Sequence, residues 1–243
     1  MKFTVSLAGV PIGVESMFDE VYHLCRDYLT DEAPCFTVAV TPADVAFERE
    51  KSRREALLEG RFPEAFSDAY LETLAVYRQI AVGLLPRDTF LFHGSVVAVD
   101  GAAYLFTALS GTGKTTHTEL WLRHVPGSFI VNGDKPLLRV TEGGVLSCGT
   151  PWAGKEGKNR NCMTPLAAIC LLERGKTNEI EEITFSEAFS VLLQQSYRPR
   201  EPEAMRKTLE LLKQAGNLLR FYRLRCNMEP EAARVAFEGM QRN

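Results

Sequence analysis

The strongest chemical signal in this chain lies at positions 108–115, which read ALSGTGKT: a small residue, four free positions, then Gly-Lys-Thr. This is the pattern of a phosphate-binding loop, with alanine where a first glycine is commoner. Its chemistry is electrostatic. A turn from strand to helix aims successive backbone N–H groups at an anion, and the helix dipole adds roughly half a positive charge there. Gly111 and Gly113 would let the loop follow a phosphate closely. Lys114 would reach the β- and γ-phosphates as a mobile cation, and Thr115 would offer its hydroxyl to Mg²⁺. The candidate nucleotide-binding residues are therefore Ser110, Gly111, Thr112, Gly113, Lys114, Thr115 and Thr116, with ATP and Mg²⁺ as the implied ligands.

The flanking segments suit that task. AAYLF before the loop is an apolar run of strand type, and TTHTELWLRH after it can form a helix. Further on, SFIV reads as a buried strand that leads to Asp134 in the sequence NGDKP. A carboxylate at a strand end beside a phosphate loop can hold a Mg²⁺-bound water or take the proton of an attacking hydroxyl. Thr115 and Asp134 are thus the candidate metal-site residues, and Lys114 and Asp134 the first catalytic candidates.

The phrase SGTGKTT, with His-Gly upstream and a short apolar segment ending in an aspartate downstream, resembles the catalytic domain of HPr kinase/phosphorylase. More distantly it resembles ATP-dependent phosphoenolpyruvate carboxykinase. GTPWAGKEG at 149–157 and PLAAICLLERG at 165–175 are similar to segments of bacterial HPr kinase-like proteins, and the likeness covers about residues 90–226. The resemblance implies a P-loop-containing mixed α/β core and transfer of the γ-phosphoryl of ATP to a hydroxyl. It also implies a role for His93, fifteen residues before Ala108, close to the catalytic acid and the phosphate. Taken alone, His93 reads as a strand-end histidine satisfied by a backbone carbonyl.

One departure stands out. HPr kinases carry two adjacent aspartates where this chain has Gly133 and Asp134, so one carboxylate must serve two tasks or a second must come from elsewhere. Glu156, in GKEGKNRN, is the candidate, with Lys155, Lys158 and Arg160 offering positive charge; the alternative is a solvated loop. Arg198 and Arg200 weakly resemble an Arg-Pro loop of the same family, although two arginines beside a proline are common on surfaces.

Length and composition set the outer bounds. With 243 residues, 45% hydrophobic and 24% charged, the chain can bury one large core or a core with a small appended domain. A net charge of −3 and no Lys/Arg block interleaved with aromatics argue against nucleic acid as a partner. The N-terminal apolar run is short and broken by Pro11 and Gly13, unlike a signal peptide, and no run reaches membrane-spanning length. Six scattered cysteines without a CxxC pair suggest thiols mostly at core positions in a reducing cytoplasm and lack metal-site spacing.

Residues 1–86 are expected to form a small N-terminal α/β lobe packed on a kinase-like domain at 87–243. In the lobe, KFTVSLAG, PIGVE and CFTVAV read as strands. A helical stripe runs over 18–29, a second helix starts at Thr41-Pro42, and a stronger one starts near Pro63 with Phe66 on its apolar side. In the second domain FLFHGSVVAV reads as one strand, PLAAICLLERG, EIEEIT and FYRLRC as others, and 185–195, 202–216 and the segment from Pro230 as helices. The phosphoryl acceptor stays open between serine in a protein or peptide and a small molecule, and homo-oligomerisation stays open too. The competing functions are a carboxykinase-like enzyme and a nucleotide-sensing module without catalysis.

Overall fold

A strand buried on both faces needs a layer of helices on each, and several runs of this chain meet that description. The computed structural model describes residues 1–58, 60–108 and 112–241, which fall into two compact units, Met1–Gly83 and Leu84–Asn243.

In the first unit β1 (Lys2–Leu7) and β2 (Val10–Glu15) form an antiparallel hairpin, and β3 (Phe36–Ala39) runs parallel to β2. Helices α1 (Glu20–Leu24), α2 (Pro42–Leu58) and α3 (Asp68–Leu84) complete it. The fully buried Glu72 carboxylate accepts hydrogen bonds from the N–H groups of Met17 (2.6 Å) and Phe18 (3.0 Å), which accounts for a carboxylate in an apolar helix. Two expectations are corrected here. α1 is one short turn followed by a 3₁₀ turn at Arg26–Tyr28, and α3 starts at Asp68, so Phe66 precedes it.

The second unit runs β4 (Thr89–Leu91), β5 (Ser95–Val99), β6 (Ala102–Thr107), α4 (Lys114–His124), β7 (Phe129–Asn132), β8 (Leu137–Thr141), β9 (Gly144–Cys148) and β10 (Met163–Arg174). It continues through β11 (Glu179–Ile183), α5 (Phe185–Gln195), α6 (Pro202–Leu218), β12 (Arg220–Cys226) and α7 (Glu231–Gln241). The sheet is mixed and curled, ordered β4-β8-β9-β10-β6-β5-β7, with β12 also on β10 and β11 outside β12. β10 pairs antiparallel with β9 through residues 163–165, then runs parallel to both β6 and β12.

Side chains alternate between the two faces. Val96, Ala98, Ala103, Leu105, Ile169 and Leu171 pack with Leu192 of α5 and Leu211 and Ala215 of α6. Their neighbours Val97, Val99, Tyr104, Phe106, Cys170 and Leu172 pack instead with Trp121 of α4 and Ala232, Ala236 and Met240 of α7. The near-continuous apolar strands follow from this double burial. α5 starts where the chain supplies a capping box: the Thr184 hydroxyl accepts from the Glu187 N–H while the Glu187 carboxylate accepts from the Thr184 N–H.

Strand direction places the site. β6, β10 and β12 are mutually parallel, β5 is antiparallel to β6, and β7 is antiparallel to β5. The carboxyl ends of β6, β7, β10 and β12 therefore meet the amino end of β5 at one edge of the sheet, where α/β proteins bind ligands. FLFHGSVVAV is not one strand. It divides into β4, which pairs with β8, and β5, which pairs with β6 and β7, and His93 sits at the break. The β8–β9 hairpin is an addition to the sequence reading. Among the described residues no helix is long and apolar enough to cross a membrane.

Leu105 is fully buried at the centre of this sheet. Leu105→Ala should lower the free energy of unfolding by about 2–5 kcal/mol, read from denaturant titrations.

Candidate functional site

Gly113 caps α4 in a left-handed conformation (φ +112°) and brings no side chain to the first-turn amides. Lys114, Thr115 and Thr116 then form the first turn itself, with Lys114 half-buried and both threonines exposed. Thr112 immediately precedes the cap. Ser110 and Gly111, expected in the phosphate loop, lie outside the described residues.

Asp134 follows the end of β7, held by a short polar network. The Asn132 amide is fully buried; its Oδ1 accepts from the N–H groups of Asp134 (2.9 Å) and Lys135 (2.7 Å). Its Nδ2 donates to the carbonyl (2.9 Å) and hydroxyl (3.0 Å) of Thr150, whose hydroxyl donates in turn to the Lys135 carbonyl (2.8 Å). The 149–157 segment is thereby tied to the turn that presents Asp134.

His93 reaches the same carboxylate. Its Nε2 stands 3.1 Å from Asp134 Oδ1, and Lys135 Nζ stands 3.7 Å from Oδ2. The chain around His93 is held on every side: Phe92 N–H donates to Pro136 O (3.1 Å), His93 N–H to Gln195 O (2.7 Å) and Gly94 N–H to Asp134 O (2.9 Å). Gly94 follows because a Cβ there would meet a Leu105 side-chain carbon at 2.8 Å and the Phe106 carbonyl at 3.0 Å.

Charge is concentrated on this point. Burial alone would raise the Asp134 carboxyl, but the hydrogen bond from His93 and the charges of Lys135, His93 and Lys114 outweigh it and hold it below its ordinary 3.8. Burial pushes the Lys114 ammonium down, and attraction to Asp134 opposes that shift. Asp134 is therefore an ionised carboxylate at neutral pH, hydrogen-bonded to an imidazole and facing the cation of the helix.

Thr115, Asp134 and Glu156 line one cavity of about 400 Å³, together with Glu119, Gly154 and Lys155. Glu156 is exposed on this wall. Lys158 is committed to an ion pair with Glu119, and the Arg160 guanidinium lies over the Phe129 ring at 4.1 Å, so neither is the unengaged phosphate ligand suggested by the sequence. Glu119 escaped the sequence reading. Its signal was its place four residues after Thr115, on the same helix face.

The sheet also docks residues 195–197 against 91–93, through Tyr197 N–H to Leu91 O (2.9 Å) and the Phe92–Ser196 bridge. The turn bearing Arg198 and Arg200 thus leaves the sheet beside His93, with both arginines exposed.

The structure gives a physical reason for Gly133. A Cβ there would stand 2.9 Å from the Ala153 carbonyl and 3.3 Å from that of Lys158, whose oxygen already accepts from the Gly133 N–H (3.0 Å). The loop backbone occupies the space that a neighbouring aspartate side chain would need. Gly133→Asp should therefore lower the thermal midpoint, with a stability loss of about 1–3 kcal/mol for forcing the loop aside; an unchanged midpoint would show that the loop yields freely.

A second prediction concerns acid. The folded-state pKa of Asp134 is depressed, so its contribution to stability is complete above 3.8 and is lost as pH falls through the lower folded value. Urea midpoints measured at descending pH should fall more steeply below pH 3.8 for the wild type than for Asp134→Asn; parallel slopes would contradict this.

No protein-family model matches the chain, and no curated protein matches it. Among solved structures, the Hpr(Ser) kinase/phosphatase from Coxiella burnetii is similar with a TM-score of 0.35 and 11% sequence identity, over 61% of this chain and 95% of that one. What the site can do rests on its own geometry.

Proposed function

We propose that the unit Leu84–Asn243 is an ATP-dependent phosphotransferase of the HPr kinase-like type that moves the γ-phosphoryl group to a hydroxyl acceptor. The observation that carries this reading is the contact of His93 Nε2 with Asp134 Oδ1 at 3.1 Å, at a carboxylate that lines one cavity with Thr115 and lies under the charge of Lys114. A carboxylate–imidazole pair beside a phosphate-binding helix end is suited to take a proton while cations stabilise a transferring phosphoryl group.

Each residue has a distinct task. The first-turn amides of α4 and the Lys114 ammonium hold the phosphates and draw charge off the bridging oxygen. Asp134 keeps His93 oriented, or accepts the acceptor's proton itself. The hydroxyl oxygen forms its bond to the γ-phosphorus, the bond from that phosphorus to the β,γ-bridging oxygen breaks, and the proton passes to the Asp134–His93 pair. If His93 donates its Nε2 hydrogen to Asp134, its Nδ1 lone pair is the proton acceptor and the carboxylate stabilises the imidazolium that results.

The donor set fits Mg²⁺. The Thr115 hydroxyl and the Asp134 carboxylate are hard oxygen ligands on one cavity, which Glu156 also lines, and Mg²⁺ in such sites takes one or two carboxylates plus phosphates and water. Among the described residues no group of three or more His, Cys, Asp or Glu could hold a metal ion, so an all-protein cage is not on offer. Bound there, the ion would supply positive charge that stabilises the transferring group.

The test pairs binding with turnover. Lys114→Ala should weaken Mg-ATP binding in calorimetry and abolish transfer. Asp134→Asn and His93→Ala should retain bound nucleotide but lose at least about a hundredfold in ADP release against a panel of hydroxyl acceptors, the range for losing a positioned acid or base. Wild-type protein that binds Mg-ATP yet releases no ADP with any acceptor would make the site a nucleotide-binding module instead.

A further inference from the structure

The chain that follows β9 returns to lie along the outer edge of β7. Arg160 N–H donates to the Val131 carbonyl (3.1 Å), Asn159 bridges to Asn132, and the Lys158 carbonyl accepts from Gly133 N–H (3.0 Å). A turn at 154–157 makes the return possible: Gly157 N–H donates to the Gly154 carbonyl (3.2 Å), and the two glycines hold φ of +76° (Gly154) and +63° (Gly157). Residues 158–160 are therefore fixed by backbone hydrogen bonds to the strand end that presents Asp134.

Lys158 also reaches the opposite wall of the site. Its ammonium pairs with Glu119 of α4, and both residues line the cavity of Thr115 and Asp134. Glu119 is four residues after Thr115, so the two share one helix face about 6 Å apart along the axis. One residue is thus bonded through its carbonyl to the turn of Asp134 and through its side chain to the helix of Thr115. The side chains of Lys158 and Glu119 are 39% and 27% exposed, and an ion pair open to water to that degree contributes little to folding. What it can fix is a distance. Thr115 and Asp134 belong to different elements, and a phosphoryl group held between them reacts only if the two stand in register; a misplacement of about 1 Å can cost on the order of a hundredfold in rate.

We propose that Lys158 and Glu119 are positioning residues: their ion pair latches the turn of Asp134 to the phosphate-binding helix and sets the gap in which the γ-phosphoryl group is transferred. The inference rests on the phosphotransferase reading of Lys114 and Asp134. It keeps Lys158 on Glu119 in the nucleotide-bound protein, so this lysine is a tie between two walls and not a ligand of the phosphates.

Glu119→Gln and Lys158→Met in the full chain remove each charge while keeping most of the side chain, and two measurements read the result. In hydrogen exchange of the nucleotide-free protein, each variant should speed exchange of the Gly133 amide about threefold, the size expected of a partly exposed ion pair, with an unchanged thermal midpoint. In ADP release, each should lower kcat about tenfold to a hundredfold and leave KM for Mg-ATP within about twofold. The double variant should be no slower than the slower single one, because both break the same tie, and the exchanged pair Glu119→Lys with Lys158→Glu should be faster than either. A change in Gly133 exchange without a change in kcat, the reverse, or neither would overturn the latch. So would single losses that multiply in the double variant, or a KM for Mg-ATP raised by Lys158→Met alone, the mark of a phosphate ligand. A wild type that releases no ADP with any acceptor overturns the phosphotransferase reading and the positioning role with it, and Gly133 exchange then reports the tie alone.

Discussion

The buried amide of Asn132 is the contact on which the site's geometry depends. Both of its ends are engaged: the oxygen takes two backbone N–H groups from the turn after β7, and the nitrogen gives to the backbone and side chain of Thr150. A buried amide in that state cannot rotate without leaving several polar groups unpaired, each at a cost comparable to the desolvation of the group. One side chain therefore fixes two things. It sets the turn that aims Asp134 and anchors the loop that comes to lie over it, with Gly154 so close that a Cβ there would touch the Asp134 Cβ at 3.1 Å.

That arrangement explains why the residue before Asp134 is a glycine. The loop carbonyls of Ala153 and Lys158 crowd Gly133 from one side, so the space beside Asp134 is filled by backbone. What remains is a single acid surrounded by cationic and hydrogen-bonding partners: Lys114, Lys135 and His93. In a half-buried site these charges interact more strongly than they would in water, which keeps the carboxylate ionised despite its burial. The other acidic groups of the cavity come from different elements. Glu119 is tied to Lys158, and Glu156 sits on the exposed loop.

Helix α4 then does two jobs with one turn. The face that carries Thr115 and Glu119 looks toward the cavity of Asp134, and the face that carries His117 and Leu120 borders a second one, lined by Leu172 and Met228 and also by Arg174 and Asn227. Trp121, one turn after His117, is buried against Tyr104, Phe106 and Phe237 and holds the His117 ring in place through its indole N–H. The packing that fastens the helix to the sheet is therefore also the packing that sets the histidine's tautomer.

Much of this could be read from residue order alone, because it depends on neighbours in the chain. The strand–turn–helix around Lys114, the apolar strand β10 and helix α5 behind its capping box are all local patterns whose physics is complete within a dozen positions. The mixed α/β class follows from them. The break at His93 did not show, because an apolar run looks the same whether one sheet neighbour or two share it; only the pairing of β4 with β8 and of β5 with β6 and β7 divides it. β8 was hidden for a related reason: it opens with two adjacent leucines, both fully buried, so the alternation that signals a strand is absent. The meeting of His93 with Asp134 was expected only through the family resemblance and not from spacing, and the crowding at Gly133 and the Nδ1 of His117, unpaired among the described residues, could not be read at all. Each depends on distances between residues far apart in the chain, or on what fails to come within hydrogen-bonding reach, and those are set only when the strands have packed.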